Sequence, residues 1–160
     1  MVEHFIGSYP EQMPAILSAE VTASKIHEDG SLRRRIRVVL DTPKRVAFEM
    51  ALWAPSGAGP FPLLLTAPRF YQRYWAEDAL ERGYAVCLFP GVDSHHREAD
   101  YAGYDSVWQT VRREFPDATW TEISTKAWLA SRCIDYLLGD SSVVKISPGQ
   151  IAIIGFSRYG

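Results

Sequence analysis

Cysteine is scarce in this sequence: Cys87 and Cys133 stand alone inside apolar segments, with no Cys-x-x-Cys and no Cys/His spacing. That excludes a disulfide framework and a thiolate zinc site, and leaves two buried, reduced thiols as the expectation. A basic excess is also lacking. Lys and Arg number 17 against 19 Asp and Glu, a formal net charge of -2, so the counterion release that drives nucleic-acid binding has no source here. No apolar run is long enough to cross a membrane. The longest uncharged stretch, Met50 to Pro68, contains Pro55, Pro60, Pro62, Pro68, Gly57 and Gly59, which would break a spanning helix. The start, Met1-Val2-Glu3-His4, has neither the basic residues nor the apolar run of a signal peptide, so a cytoplasmic chain is expected, with secretion of a longer form left open. Internal repeats and low-complexity segments are absent.

What is present is the balance of an ordinary globular chain, 47% apolar and 22% charged over 160 residues, enough for one domain. Residues 1–18, with Gly7, Pro10 and Pro14, read as an irregular lead-in, and 19–160 as the folded part. Glu20 to His27 alternates like a strand, and Asp29-Gly30 is a hairpin turn signal. The return strand runs from about Leu32 to Leu40, with Ile36, Val38 and Leu40 on one face; its Arg33, Arg34, Arg35 and Arg37 read as a solvated face rather than an anion site. Val46 to Leu52 alternates as a third strand.

The pattern then changes. Phe61 to Thr66 and Tyr84 to Phe89 are continuous apolar runs, as strands covered on both faces require. Between them Gln72 to Arg82 reads as a helix stopped by Gly83. Gly91 to Pro116 is a long polar and aromatic excursion, of a size that usually carries function or short helices. Thr119-Trp120-Thr121-Glu122 fits a capping box that opens a helix with Ile123, Ala127, Ala130, Ile134, Leu137 and Leu138 on one stripe, ending at Gly139. Ser147-Pro148 reads as a turn, and Ile151 to Ile154 as another buried strand. Antiparallel strands followed by strand–helix–strand–helix–strand define an α/β fold: a mostly parallel sheet with antiparallel N-terminal strands.

The segment after that last strand is Gly155-Phe156-Ser157-Arg158-Tyr159-Gly160. A serine directly after an apolar strand and flanked by glycine is the arrangement of a nucleophile elbow. In such a sharp strand-to-helix turn Oγ is lifted clear of the sheet and the next N–H faces a developing oxyanion. The strict Gly-x-Ser-x-Gly pattern is broken, because Tyr159 stands in the second glycine's place and Gly160 follows one position late. A strand-to-loop turn whose serine merely caps a helix is the alternative.

The run Gly155 to Gly160 resembles the Gly-x-Ser-Arg-x-Gly elbow of α/β-hydrolase carbohydrate esterases, the glucuronoyl esterase and acetyl xylan esterase-like group. Asp117-Ala118-Thr119-Trp120, Ala127-Trp128, Ser131-Arg132 and Asp135-Tyr136-Leu137 are similar to the helix before that elbow, and Gly83-Tyr84-Ala85-Val86 and Gly59-Pro60-Phe61-Pro62 match the group's general pattern. The likeness spans about Leu32 to Gly160, the N-terminal portion of such a domain, so the sheet is expected to be incomplete at its C-terminal side. It implies a serine carboxylic-ester hydrolase acting through an acyl-enzyme on Ser157, with esters of carbohydrates as substrates. Arg158 would stabilise the oxyanion through its N–H and, as in glucuronoyl esterases, its guanidinium; a surface salt bridge at a helix start is the plainer role for it.

The strand matches alone would also fit dienelactone hydrolases and prolyl-oligopeptidase-like peptidases, and a truncated, non-catalytic homologue is a third possibility. In α/β-hydrolases the acid and the histidine follow the serine, so the triad partners of Ser157 are expected outside this sequence, and the fragment alone is expected to be inactive. His95-His96 with Asp93, Glu98 and Asp100 precede it and read as loop residues, or as part of a substrate mouth. Trp108, Trp120 and Trp128 are candidates for a sugar-stacking platform, with core packing the better reading for Trp128. Thr66-Ala67-Pro68-Arg69 stands where many relatives carry a His-Gly oxyanion loop, which leaves the second oxyanion donor unassigned. No cofactor, metal, nucleic acid or membrane partner is expected; an apolar edge at Ile151 to Ile154 would favour self-association.

Overall fold

A computed structural model describes residues 6–68, 70–91 and 107–155, the side chains of 70–73 excepted. Strands β1 (Ile16–Ile26), β2 (Leu32–Leu40) and β3 (Ala47–Ala54) form a meander, followed by β4 (Phe61–Thr66), helix α1 (Phe70–Glu81), β5 (Ala85–Leu88), α2 (Val107–Arg113), α3 (Glu122–Gly139) and β6 (Ile146–Ile154). They build one six-stranded sheet in the order β1-β2-β3-β5-β4-β6. β1, β2, β3 and β5 pair antiparallel in turn, while β4 pairs parallel with both β5 and β6. This is the α/β architecture expected, with the antiparallel strands at the N-terminal side, as a mixed sheet of three antiparallel and two parallel pairings.

The meander follows from its residues. At the first hairpin Gly30 takes φ 79°, and the Ser31 N–H donates to Asp29 Oδ1 at 2.9 Å, an Asx-type turn. On β2 the side chains of Ile36, Val38 and Leu40 are fully buried. The four arginines do not share one solvated face, because the strand's two-residue period splits them. Arg34 lies on the core side and donates from Nη1 to the Val143 carbonyl at 2.6 Å. On the opposite face Arg33 stacks 4.2 Å over Trp53, and Arg37 faces Glu20 at 3.9 Å. β1 starts at Ile16, inside the stretch expected to be irregular, and pairs Ile16 with Leu40.

Two cores flank the sheet. Leu63, Leu65, Ala85 and Cys87 face α3, where they meet Trp128, Leu129, Cys133 and Leu137 together with Phe48, Met50 and Leu52 of β3. The alternate residues Ala51, Trp53, Val86 and Leu88 face α1 and pack on Ala76 and Ala79. Both cysteines are free and buried, and desolvation, then the neighbouring Cys87, hold the Cys133 thiol well above its ordinary range, which makes it a poor nucleophile. α1 ends in a Schellman motif, with Gly83 at φ 87°, its N–H on the Leu80 carbonyl at 3.0 Å, and the Tyr84 N–H on the Ala79 carbonyl at 2.9 Å.

Two expectations need correction. The cap of α3 is Thr121, not Thr119: the Ser124 N–H donates to Thr121 Oγ1 at 3.4 Å and the Thr121 N–H to Ser124 Oγ at 2.8 Å. Serine replaces the usual Glu or Gln of the box, and Glu122 instead pairs with Lys126 one turn on. Thr119 Oγ1 accepts the Ser8 N–H at 3.0 Å, which ties the N-terminal segment to the start of α3. Gly7 is required there, because a Cβ would lie 2.0 Å from the Thr119 carbonyl oxygen. Second, β6 is longer and less covered than a buried strand. Phe61 pairs with Ile146 and Leu63 with Ile151, so Ser147-Pro148-Gly149-Gln150 bulge out opposite Pro62. Among the described residues β6 pairs only with β4, and Ile153 is 63% exposed.

This difference in cover sets the cost of truncation. Leu65→Ala should lower unfolding free energy by about 2–5 kcal/mol through transfer and cavity terms. Ile153→Ala should change it by less than about 0.5 kcal/mol, as at other exposed positions. Denaturant midpoints at unchanged slope would check both.

Candidate functional site

β4 is a topological switch point. From its C-terminal end the chain crosses through α1 to β5 on one side; from β5 it crosses back through α2 and α3 to β6 on the other side. Right-handed crossovers in opposite directions place α1 and α3 on opposite faces, which opens a crevice beyond the carboxyl ends of the strands. Thr66, Leu88 and Ile154 lie in one register row at those ends. Beyond them run Ala67-Pro68, Phe89-Pro90-Gly91 and Gly155.

The rim is tightly built. Thr66 is fully buried, its carbonyl accepts the Phe89 N–H at 3.2 Å, and its Oγ1 has no hydrogen-bond partner among the described residues. The Gly91 N–H closes back on the Phe89 carbonyl at 2.8 Å, and a Cβ on Gly91 would meet the Phe89 ring at 2.4 Å. A buried hydroxyl without a partner is costly, so its presence at the crevice is a feature to explain rather than a packing detail.

Of the candidates read from the sequence, Gly155 is placed at the end of β6, in the crevice. Ser157 and Arg158 lie outside the described residues, as do Arg69 and the group Asp93, His95, His96, Glu98 and Asp100. The tryptophans separate. Trp120 is fully buried and Trp128 nearly so, their rings edge-to-face at 5.8 Å, and Phe115 and Tyr9 also pack on Trp120, so both belong to the core. Of these three, Trp108 on α2 keeps partial exposure. Among the described residues no three His, Cys, Asp or Glu side chains come together as a metal site, and no helix is long and apolar enough to cross a membrane.

Sequence reasoning missed a group of charges beside Trp108. Lys126 is 2% exposed, paired with Glu122, and its Nζ lies 5.9 Å from the Trp108 ring centre; the Arg112 guanidinium lies 5.7 Å from the same ring. The signal was the i,i+4 spacing of Trp108 to Arg112 and of Glu122 to Lys126, which puts each pair on one helix face.

No family model and no curated protein matches the sequence. Solved structures do. A family CE15 glucuronoyl esterase from Teredinibacter turnerae superposes with TM-score 0.59 at 18% identity over 97% of this chain. A glucuronoyl esterase from Sporotrichum thermophile, solved with methyl 4-O-methyl-β-D-glucopyranuronate, gives 0.54 at 20% over 99%. A Bacteroides fragilis protein provisionally assigned as an acetyl xylan esterase gives 0.62 at 15% over 92%. The chain spans 43%, 38% and 43% of those three. The fold is therefore of the α/β-hydrolase type that carbohydrate esterases share, and these residues make up less than half the length of the chains they match.

The unpartnered Thr66 hydroxyl gives a direct test of the crevice. Thr66→Val keeps the shape and removes a buried donor, so stability should rise by about 1 kcal/mol, the lower end of the cost of an unsatisfied group. Thermal denaturation measures it. A loss of stability would mean that the hydroxyl is hydrogen-bonded in solution.

Proposed function

We propose that this chain contributes the nucleophile of a serine carboxylic-ester hydrolase whose substrates are esters of carbohydrates. The observation that carries this is the position of Gly155: it leaves β6 at the crevice beside the switch point, and Phe156-Ser157-Arg158 follow directly. Ligands of open α/β sheets bind at that place. The likeness of fold to glucuronoyl esterases supports an ester substrate, and the Ser157-Arg158 pair supports the carbohydrate class.

In this reading Ser157 Oγ attacks the ester carbonyl carbon, the carbonyl electrons move to oxygen, and collapse of the tetrahedral species expels the alcohol and leaves an acyl-serine that water then hydrolyses. The backbone N–H and guanidinium of Arg158 stabilise the oxyanion, a role that favours a permanently charged, multi-donor side chain over lysine. A histidine must take the Oγ proton, oriented by an acid. Neither residue type follows Ser157 within the sequence.

In the intact protein, Ser157→Ala should abolish labelling by a fluorophosphonate and lower turnover of an acetylated or uronate methyl ester by about a million-fold, as for loss of a triad serine. Arg158→Ala should lower kcat by about ten- to a thousand-fold, the effect of losing one oxyanion donor. Labelling that persists in the Ala variant removes Ser157 from the mechanism. Turnover of dipeptide amides in preference to sugar esters would instead assign a peptidase.

A further inference from the structure

We propose that the cavity at the amino ends of β4 and β6 binds a small monocarboxylate with an apolar body, an aryl- or alkylcarboxylic acid. This goes beyond the esterase reading and does not depend on it. The cavity holds about 380 Å³, within the range of small-ligand sites. Its walls come from the first hairpin (Ile26, Gly30, Leu32, Arg34), from the segments 54–58 and 141–145, and from Phe61 at the start of β4. The length of β4 from Phe61 to Thr66, roughly 16 Å at the rise of a strand, separates it from the crevice.

The charge inside it is Arg34. This side chain reaches the cavity from the core side of β2 and forms no ion pair among the described residues. Nη1 is occupied by the Val143 carbonyl, and Nε is buried with no acceptor. Other charges drawn into the fold have counter-charges: Glu114 has Lys44, Lys126 has Glu122, and Arg132 has Asp135. A guanidinium withdrawn from water without a carboxylate is costly, and an anion supplied from outside offsets that cost. The contact with Val143 orients the planar group before a ligand arrives and leaves donors for a carboxylate.

None of the lining residues is acidic, and Lys145, exposed among them, is a second cation. Carboxylates do stand in the adjoining turns, at Glu28, Asp29 and Asp140. Asp29 accepts the Ser31 N–H at 2.9 Å. Asp140 accepts the Ser142 hydroxyl at 2.6 Å and its N–H at 3.1 Å, and these bonds hold its carboxyl below the usual carboxylate range. The selectivity of the site therefore rests on one guanidinium within it, not on the field of the surface around it.

The remaining wall is apolar. Leu32, Phe61, Val143 and Val144 share the concavity with Ile26, which at 72% is the most exposed large apolar side chain among the described residues. An alkyl chain or aromatic ring seated there would cover it. A phosphate fits neither part, since one guanidinium gives a dianion too few donors and the apolar wall would have nothing to cover. The walls are joined before binding: the Phe61 N–H donates to the Lys145 carbonyl at 2.9 Å, and a Cβ on Gly30 would lie 2.8 Å from Ser56 Oγ.

Amide chemical shifts of the intact protein, followed by NMR during titration with hydrocinnamate, test both binding and place. Ile26, Gly30, Phe61 and Lys145 should shift together with a Kd of about 1 mM or tighter, while Leu88 and Gly155 at the crevice stay still. Hydrocinnamamide, which lacks the charge, and acetate, which lacks the body, should each bind at least about tenfold more weakly. Arg34→Gln should weaken hydrocinnamate at least about tenfold. Ile26→Glu, at an exposed position that leaves thermal denaturation unchanged, should do the same and decides the matter should Arg34→Gln fail to fold. No shift at about 10 mM overturns the proposal, as do shifts confined to the crevice. Equal binding of the amide or of acetate overturns it too, and so does hydrocinnamate binding untouched by Ile26→Glu or by a folded Arg34→Gln.

Discussion

Parallel pairing cannot be closed by a tight turn, and β4 is paired in parallel on both sides. Each neighbour therefore demands a crossover, and the fixed hand of crossovers puts one helix on each face. Most of the architecture follows from that demand. Leu63 and Leu65 must be apolar toward α3, and Leu64 toward α1, so β4 has no polar face until Thr66 at its end. The gap left where the two connections part is the crevice, and Gly155 reaches it because β6 is the strand on its far side.

The antiparallel meander depends less on this constraint and more on local chemistry. Its turn is set by Asp29, Gly30 and Ser31, and the alternation on β2 chooses which residues enter the larger core. The N-terminal segment returns to the first turn of α3, where the Ile6 carbonyl accepts both the Thr121 N–H at 3.0 Å and the Ser124 Oγ–H at 2.7 Å. One carbonyl thus takes part in the cap of a helix more than a hundred residues away.

How far the fold could be read from the residues depended on whether the signal was local. β2 and β4 have the bounds expected, because a two-residue period and a continuous apolar run bounded by turn residues are self-contained. Gly83 and Gly139 marked the helix ends for the same reason. The cap of α3 lies two residues beyond the local box at Thr119 to Glu122, because the distant N-terminal segment engages Thr119 through Ser8 and the Thr121 N–H and Ser124 Oγ–H through the Ile6 carbonyl. The residues of β6 read as a buried strand because an apolar string states what a strand can cover, not how many neighbours it has. For the candidate site, the motif at Gly155 to Ser157 was visible in the sequence, whereas the pairing of Trp108 with charges from two helices needed tertiary contact between α2 and α3.

The two faces of the sheet differ greatly in what secures them. The layer under α1 is small: Ala76 and Ala79 meet Ala51, Trp53, Val86 and Leu88, with Leu64 and Leu80 at its margin. Among the described side chains, alanines bring α1 close to the sheet but bury less area than Trp128, Leu129, Cys133 and Leu137 do under α3. Elements with the fewest buried apolar contacts are the ones through which sub-global opening proceeds. Because α1 begins just after the segment that leaves β4, the thinner of the two described layers also borders the crevice, so any local opening on this face would be felt at the rim of the site.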